Sequence, residues 1–278
     1  MNFKKLGLRV LVAIFGIPII VFLVLKGGWF FVALVLLVNL LSQYEFYKLT
    51  ELKQMLPLNI LGLAGTVLIT ISFYEFGIEK LWLIILILFY LALVIELFRN
   101  KASATLNISA TTLGFFYPTV FFSFHILIRE LPKSLKLEYA AGGRWILLML
   151  VTIWVCDTAA YFLGSAIGKH KLFPRVSPNK TVEGAIAGFI FALITAYIFH
   201  ISYIKLLSLA ECLIIGVIIG IMCQVGDLVE SLFKRDAEVK DTSGVLPGHG
   251  GFLDRFDAPL FVAPLVYLYL RYLVFLKC

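Results

Sequence analysis

Charged residues are scarce in this chain, and their scarcity excludes a water-soluble fold. Asp, Glu, Lys and Arg make up 15% of the 278 residues, whereas hydrophobic residues make up 61% and the mean hydropathy is +0.99. A soluble domain is about one quarter charged and about half apolar. Because no aqueous core could bury this much apolar surface, the sequence predicts an integral membrane protein surrounded by the lipid bilayer.

Cysteine is also scarce. The four cysteines are Cys156, Cys212, Cys223 and Cys278, and no two of them form a CxxC pair. We interpret them as small hydrophobic residues, because this spacing fits neither a zinc site nor a disulfide framework. The chain also lacks the GxxxxGK[ST] phosphate-binding loop. No small-residue cleavage site follows its basic N-terminal residues, so we expect the first apolar segment to be retained.

Apolar runs, by contrast, are abundant and predict the architecture. A membrane-spanning helix needs about 20 mostly apolar residues. Nine segments fit this requirement: 8–25, 29–47, 57–74, 81–98, 109–128, 145–165, 182–200, 209–228 and 258–276. We therefore predict an all-α integral membrane protein with about nine transmembrane helices. An N-terminal scaffold (1–130) and a C-terminal catalytic region (131–278) would form one continuous membrane domain.

The distribution of Lys and Arg predicts the orientation. Cytoplasmic loops carry an excess of basic residues, and placing the N-terminus inside gives that excess. Both long polar connections, 166–181 and 229–257, then face the cytosol, although the basic residues of 129–144 fall outside. The net charge of +7 indicates loops that face anionic headgroups or phosphorylated substrates, with no nucleic-acid partner. We expect the active site at the cytosolic interface of the C-terminal half.

The densest polar stretch runs from Gly226 to Asp257, between two apolar segments. Asp227, Ser231 and Lys234 stand at i, i+4 and i+7, so on a helix they share one face. A carboxylate at the bilayer edge is costly unless a cation lies beside it. That cation is either a bound metal or an internal partner, Lys234 or Arg235.

A glycine-rich segment, Gly244 to Gly251, follows Lys240 and Asp241. Glycine frees the backbone to present N–H groups to an anion. Within this segment His249 is a ligand contact, a proton carrier or a structural staple, and the residues alone leave all three open.

Asp254 and Asp257 lie three residues apart, on either side of Arg255. On one helix face they would repel each other unless a metal or a base lies between them. Together with Asp227 they supply hard oxygen ligands of the kind that Mg²⁺ prefers. The alternative is an Asp–Arg–Asp salt-bridge cluster that only pins the loop.

The other long polar connection contains Ser177-Pro178, which ends one element, and Thr181, which can cap the following helix. A helix N-terminus beside Lys180 favours a phosphate group. For Lys169 and Lys171 a positive-inside anchor is an equally good interpretation.

The apolar segment 145–165 carries Asp157 and Tyr161 on one face with Gly164 and Gly168. An aspartate deep in a span is a functional candidate, and the alternative is a hydrogen bond to a neighbouring helix. Outside these regions, acidic residues such as Glu45 and Glu96 are interpreted as interfacial anchors.

The polar residues at the membrane boundary suit a reaction between a phosphorylated lipid and a soluble nucleotide. They include carboxylates for Mg²⁺, a basic cluster and a glycine loop. The chemistry would be in-line displacement at phosphorus, with the metal and Lys or Arg neutralising charge. The residues alone do not name the nucleotide.

Three stretches contain a gapped motif: Ser231-Leu-Phe-Lys234-Arg235, Lys240-Asp241 and Leu246-Pro-Gly-His-Gly-Gly-Phe-Leu-Asp-Arg-Phe-Asp257. This motif resembles the signature of the phosphatidate cytidylyltransferases, also called CDP-diacylglycerol synthases. Two further stretches, 157–169 and 177–184, also fit, so the resemblance covers about residues 154–260. The N-terminal half resembles the family only in hydropathy and number of spans.

Two residues depart from the family pattern. Ser165 stands where a basic residue is expected, which puts one phosphate contact in doubt. Ser243 stands where glycine is common, which changes the flexibility of the loop mildly.

The resemblance implies transfer of CMP from CTP to phosphatidic acid, giving CDP-diacylglycerol and pyrophosphate. It implies Mg²⁺, with a second cation left open, and a homodimer in the bacterial cytoplasmic (inner) membrane. The implied metal ligands are Asp227, Asp254 and Asp257. The implied catalytic residues are these three with Lys234, Arg235, Lys240, Asp241, His249 and Arg255. The implied substrate-binding residues are Asp157, Tyr161, Ser177, Lys180, Thr181, Glu183, Ser231, Gly250 and Gly251.

Two other functions are compatible with the motifs. A CTP-dependent lipid kinase would transfer the γ-phosphoryl group to a polyprenol-type alcohol, with Asp157 or His249 as the base. A transporter would use Asp157 and Asp227 as an ion pathway, and it predicts inverted repeats with interrupted helices in both halves. Because polarity is confined to the C-terminal half, the sequence favours the synthase.

Overall fold

The computed structural model describes residues 3–244 and 250–275, which form helices and one small β-hairpin. The all-α prediction is thereby confirmed, and the hairpin is an addition to it. The helices are α1 (Phe3–Lys26), α2 (Gly28–Glu51), α3 (Asn59–Glu75), α4 (Leu81–Arg99), α5 (Ala104–Gly114), α6 (Phe121–Ser134), α7 (Ala140–Ile167), α8 (Val182–Ser202), α9 (Leu209–Asp236) and α10 (Leu253–Leu268). Strands β1 (Lys171–Phe173) and β2 (Ser177–Thr181) form the hairpin.

The helices are those of a multi-pass membrane protein. Within the described residues, seven helical segments are long and apolar enough to cross a bilayer. These are Gly28–Glu51, Leu81–Arg99, Ala104–Ser134, Ala140–Ile167, Val182–Ser202, Leu209–Asp236 and Leu253–Val274. The other two predicted segments correspond to shorter apolar helices, Ile14–Lys26 and Asn59–Glu75. Nine crossings therefore remain a prediction.

Two helical segments contain π-helical turns. Phe115–Val120 joins α5 to α6, and Tyr269–Val274 continues α10. In the first of these, Pro118 has no backbone N–H to donate to the preceding turn. The wider π-helical turn keeps the helix continuous past this missing donor.

The contacts divide the chain into two compact units. The first unit contains Met1–Leu127 and Phe233–Phe256, and the second unit contains Ile128–Leu232 and Asp257–Cys278. This division is not a single cut at residue 130. Phe233–Phe256, from the end of α9 to the start of α10, groups with the N-terminal helices. The scaffold and catalytic regions of one continuous membrane domain remain a prediction.

The core of the first unit combines aromatic packing with buried polar side chains. Phe46 contacts Phe233 and Tyr117 edge to face, with ring centroids 5.5 and 5.6 Å apart. The fully buried Asn39 donates to Thr70 Oγ1 at 3.0 Å. Such hydrogen bonds between helices satisfy polar groups that lipid cannot solvate.

The second unit is built around α7 and α8, which pack against each other along their lengths. Ile146, Leu148 and Met149 of α7 are fully buried. The β-hairpin between these helices pairs Lys171 with Thr181 and Phe173 with Ser177. It therefore returns the chain to the start of α8 at Thr181.

Candidate active site

An open cavity of about 250 Å³ lies in the second unit at the hairpin. Its polar lining comes from α7, β2 and α9. The lining includes Asp157, Tyr161, Ser165, Asn179, Lys180, Thr181, Gln224 and Asp227. Five of the residues implied by the sequence motifs therefore meet here, although they lie up to 70 positions apart in the chain.

An acidic cluster, defined as Asp227, Glu230 and Asp257, lies in the same unit. One carboxylate oxygen of each residue lies within 4.8 Å of the others. Glu230 is 1% exposed. Two unit charges about 4 Å apart repel by about 4 kcal/mol at an effective dielectric constant of about 20. A cation beside these three carboxylates would therefore stabilise the cluster.

A close backbone approach brings the cluster together. A Cβ atom on Gly226 would lie 2.6 Å from the carbonyl oxygen of Asp257. Only glycine lets α9 and α10 approach this closely, so Gly226 places Asp257 beside the residues of α9.

Lys180 supplies one cation to the cluster. Its Nζ lies 2.5 Å from Asp227 Oδ2, and Ser231 donates to Asp227 Oδ1 at 3.2 Å. The Lys180 side chain remains 27% exposed and that of Asp227 34% exposed, so both are accessible from the cavity. Lys180 therefore contributes one positive charge beside the cluster.

The donor set fits a hard divalent ion. Mg²⁺ takes oxygen ligands at about 2.1 Å, so two oxygens on one ion are at most about 4.2 Å apart. Small side-chain rotations would bring Asp227, Glu230 and Asp257 to that spacing. The structure groups Glu230 with two of the predicted ligands, and Glu230 was not among them.

The hairpin is held to the start of α8 by two local contacts. The Thr181 hydroxyl accepts from the Gly184 amide at 3.2 Å, so Thr181 is the N-cap of α8. Glu183 accepts from the backbone amides of Lys169 and His170, at 3.1 and 3.2 Å. Its carboxylate therefore holds the base of the hairpin, and its role in substrate binding remains a prediction. Ser177 begins β2 and does not line the cavity.

Asp157 Oδ1 accepts a hydrogen bond from Cys223 Sγ at 3.0 Å. This contact matches the hydrogen-bonding alternative, while the position of Asp157 in the cavity matches the functional one. Both interpretations of Asp157 therefore stay open.

Asp254, the third predicted metal ligand, belongs to the first unit and is held differently. Its Oδ1 lies 2.7 Å from Lys234 Nζ. Its Oδ2 accepts from the Gly251 amide at 2.7 Å and from the amide and hydroxyl of Thr242 at 3.0 and 2.9 Å. Asp254 and Lys234 thus form a nearly buried ion pair, with exposed side-chain fractions of 6% and 11%. Metal binding by Asp254 remains a prediction.

The remaining predicted residues lie near the end of α9 and the start of α10. Arg235 donates to the Val239 carbonyl at 3.0 Å, just after the end of α9. Lys240, Asp241 and Arg255 are exposed, and Gly250 is half-buried. His249 lies outside the described residues.

Sequence reasoning missed two acidic residues of these sites. Glu230 stands three residues after Asp227, and this helical spacing was a usable signal. Glu45 was interpreted as an interfacial anchor, but its side chain is 2% exposed and contacts residues after α9. A carboxylate inside an apolar span was the signal for Glu45.

The fold and the site define a class of protein: a multi-pass helical membrane protein with a carboxylate–lysine site suited to phosphate groups. A cytidylyltransferase family model matches residues 7–273. The chain belongs to this cytidylyltransferase family.

Named relatives resemble the chain over nearly its full length. It is 35% identical over 274 residues to the phosphatidate cytidylyltransferase of Bacillus subtilis, covering 94% of this chain and 96% of the relative. It is 31% identical over 292 aligned positions to that of Synechocystis, covering 94% and 95%. A relative of the same name from Staphylococcus saprophyticus is 49% identical over 125 residues, covering 45% and 48%.

Proposed function

We propose that this protein is a phosphatidate cytidylyltransferase, which transfers CMP from CTP to phosphatidic acid. The observation that carries the proposal is the acidic cluster, whose Asp227 pairs with Lys180 and lines the same cavity of a multi-pass membrane protein of this family. A cationic side chain and a metal-ligand set side by side suit a reaction whose substrates both carry phosphates.

In this reaction a lipid phosphate oxygen forms a bond to the α-phosphorus of CTP. The bond from that phosphorus to the oxygen bridging to the β-phosphorus breaks, and its electron pair leaves with pyrophosphate. A phosphate monoester is largely ionised near neutral pH. The reaction therefore needs positioning and charge neutralisation more than a general base.

Residues of the cavity and of the acidic cluster have distinct tasks in this proposal. Lys180, released from Asp227 when substrate enters, would bind a phosphate oxygen. Asp227, Glu230 and Asp257 would hold Mg²⁺, which would supply positive charge to the phosphate oxygens and the leaving group. Thr181 at the N-terminus of α8 adds a helix end that favours an anion.

The setting of the reaction is part of the same proposal. The Lys and Arg distribution places the polar connections in the cytosol, where CTP is available. We propose the bacterial cytoplasmic membrane as the location and a homodimer as the assembly, as the family resemblance implies.

Position-specific labelling of CTP tests the reaction. The purified protein is incubated with phosphatidic acid, Mg²⁺ and CTP labelled at either the α- or the γ-phosphorus. We expect the α-label in the lipid product and the γ-label in pyrophosphate. A γ-label in the lipid with release of CDP would identify a lipid kinase instead. Parallel reactions with UTP and dCTP measure selectivity for the nucleotide.

A further inference from the structure

Glu45 is a buried acid far from the motifs in sequence. It lies on α2, 2% exposed, in the first unit. Burying a carboxylate in an apolar segment is costly unless hydrogen bonds or a cation compensate. Among the described residues no Lys or Arg forms an ion pair with it, so its hydrogen bonds have to compensate.

Four donors contact the Glu45 carboxylate, and all come from the segment between the end of α9 and the start of α10. Oε1 accepts from the Ser243 hydroxyl at 2.5 Å and from the Phe252 amide at 3.0 Å. Oε2 accepts from the Thr242 hydroxyl at 3.1 Å and from the Leu253 amide at 2.8 Å. A carboxylate has about four lone-pair positions, so the number of donors around Glu45 matches its acceptor capacity.

The donors come from both ends of the segment that joins α9 to α10. Thr242 and Ser243 lie on one end, and Phe252 and Leu253 on the other. The amides of Phe252 and Leu253 are at the start of α10, where N–H groups have no partner within the helix. Glu45 therefore caps α10 from another helix and places negative charge at its N-terminus.

Asp254 completes this arrangement, which we call the loop clamp: Glu45, Thr242, Gly251 and Asp254. The Thr242 hydroxyl lies 3.1 Å from Glu45 and 2.9 Å from Asp254, so its single proton serves one carboxylate at a time. A Cβ atom on Gly251 would lie 2.1 Å from the Thr242 hydroxyl and 2.4 Å from Glu45 Oε2. No side chain larger than hydrogen fits at Gly251.

We infer that Glu45 is a positioning residue for the segment that joins α9 to α10, and that this segment contributes to nucleotide binding. The inference rests on the proposed function, because Gly251 lies in this segment and the signature residues Lys234 and Asp254 flank it, in α9 and α10. By fixing both ends of the segment, Glu45 sets the position of Asp254 and of its partner Lys234. It acts from the N-terminal half, which the sequence motifs leave without a role in catalysis.

Glu45→Gln tests the inference, with Glu96→Gln as the matched control. The amide introduced at position 45 would offer one acceptor oxygen and would turn an N–H₂ group toward two of the four donors. Glu96 is also a buried acid of the first unit, 5% exposed, but it contacts Asn107 and Arg99. Thermal unfolding of both variants measures the purely structural effect.

Steady-state kinetics separate positioning from stability. We expect Glu45→Gln to raise the KM for CTP about tenfold, the effect of losing one charged hydrogen bond. The KM for phosphatidic acid should change less than about twofold, since the clamp contacts only the signature segment. Glu96→Gln should leave both KM values unchanged. An unchanged KM for CTP in Glu45→Gln, or an equal rise in Glu96→Gln, would overturn the inference.

Amide hydrogen exchange provides a readout that needs no catalysis. We expect the amides of Phe252 and Leu253 to exchange at least about tenfold faster in Glu45→Gln than in the wild type or in Glu96→Gln. Equal exchange would overturn the inference. If the wild-type protein made no CDP-diacylglycerol, the proposed function would fail while the exchange result still decided whether Glu45 holds the segment.

Should Glu45→Gln not fold, Ser243→Ala and Thr242→Val remove donors from the other side of the contact. Each is expected to raise the KM for CTP by up to about tenfold, since a hydrogen bond to a charged group contributes about 1.5–3 kcal/mol. Unchanged KM values in both variants would overturn the inference.

Discussion

The acidic cluster of the second unit and the loop clamp of the first unit use the same chemical groups in opposite ways. In the acidic cluster three carboxylates face one another, with Lys180 as the cation in direct contact with Asp227. In the loop clamp two carboxylates face hydroxyl and amide donors, and Lys234 pairs with Asp254.

This difference shows why acidic residues at a membrane boundary need not share a role. Carboxylates that face one another have excess negative charge, which is suited to a metal ion or a cationic group. Carboxylates that face donors are already compensated and stabilise backbone geometry. We therefore assign charge chemistry to the acidic cluster and positioning to the loop clamp.

The largest effect is expected for Asp227→Asn in the acidic cluster. Losing one charge should reduce turnover by more than about a hundredfold. Even the loss of a residue that only hydrogen-bonds to a metal ligand lowers metal affinity or activity about 10–100-fold. Asp236→Asn is the matched control, because Asp236 ends the same helix with 61% of its side chain exposed. Near-normal turnover by Asp227→Asn, measured with phosphatidic acid and CTP, would contradict the metal assignment.

The second-largest expected effect distinguishes two sets of metal ligands: the acidic cluster, or a set that includes Asp254. If the acidic cluster binds Mg²⁺, Glu230→Gln should raise the Mg²⁺ concentration for half-maximal activity about tenfold or more. Asp254→Asn should then lower activity without a comparable shift in the Mg²⁺ requirement. Magnesium titrations of both variants, with the exposed Glu238→Gln as control, make the comparison. The reverse result would place Asp254 among the ligands, as the family resemblance implies.

A smaller effect, on stability, tests the loop clamp. Gly251→Ala would force a methyl group against Thr242 and Glu45, and overpacking of this kind costs about 1–3 kcal/mol. Gly244→Ala is the control, since nothing lies within 4 Å of the added methyl group. Thermal unfolding in detergent should separate the two variants. Equal melting temperatures would show that the clamp does not constrain the segment.

The smallest effect concerns the helix start beside the acidic cluster. Thr181→Ala removes the N-cap of α8 and should cost about 1 kcal/mol of stability. Thr181→Ser keeps the hydroxyl and should unfold close to the wild-type temperature. If the alanine variant also raised the KM for a substrate while the serine variant did not, the Thr181 hydroxyl would have the predicted binding role as well.

The helices could be predicted from the sequence with some precision. Long apolar runs have one solution in lipid, a helix that satisfies its own backbone, so the nine predicted segments all fall within or across described helices. The hairpin at 171–181 was not predicted, because strands of three and five residues are too short to leave a periodic pattern.

The candidate site was predicted in part. Four of the predicted residues line one cavity: Asp157, Tyr161, Lys180 and Asp227. The charged ones could be predicted because ionisable residues in membrane segments face the interior of the bundle or a water-filled cavity. The partners of each carboxylate were not predictable, because spacing along one helix does not reveal which distant residue packs against it. Asp254 and Asp257 lie three positions apart, yet one contacts Lys234 and the other joins the acidic cluster.

Taken by itself, the sequence determined that this is a helical membrane protein, and it predicted that the chemistry lies in the C-terminal half. Apolar composition and local motifs are properties of neighbouring residues, and lipid leaves them little freedom. Only the tertiary structure decided that Asp257 joins Asp227 and that Glu45 reaches the segment after α9. Contacts between residues nearly 200 positions apart depend on how helices pack, and no local pattern encodes them.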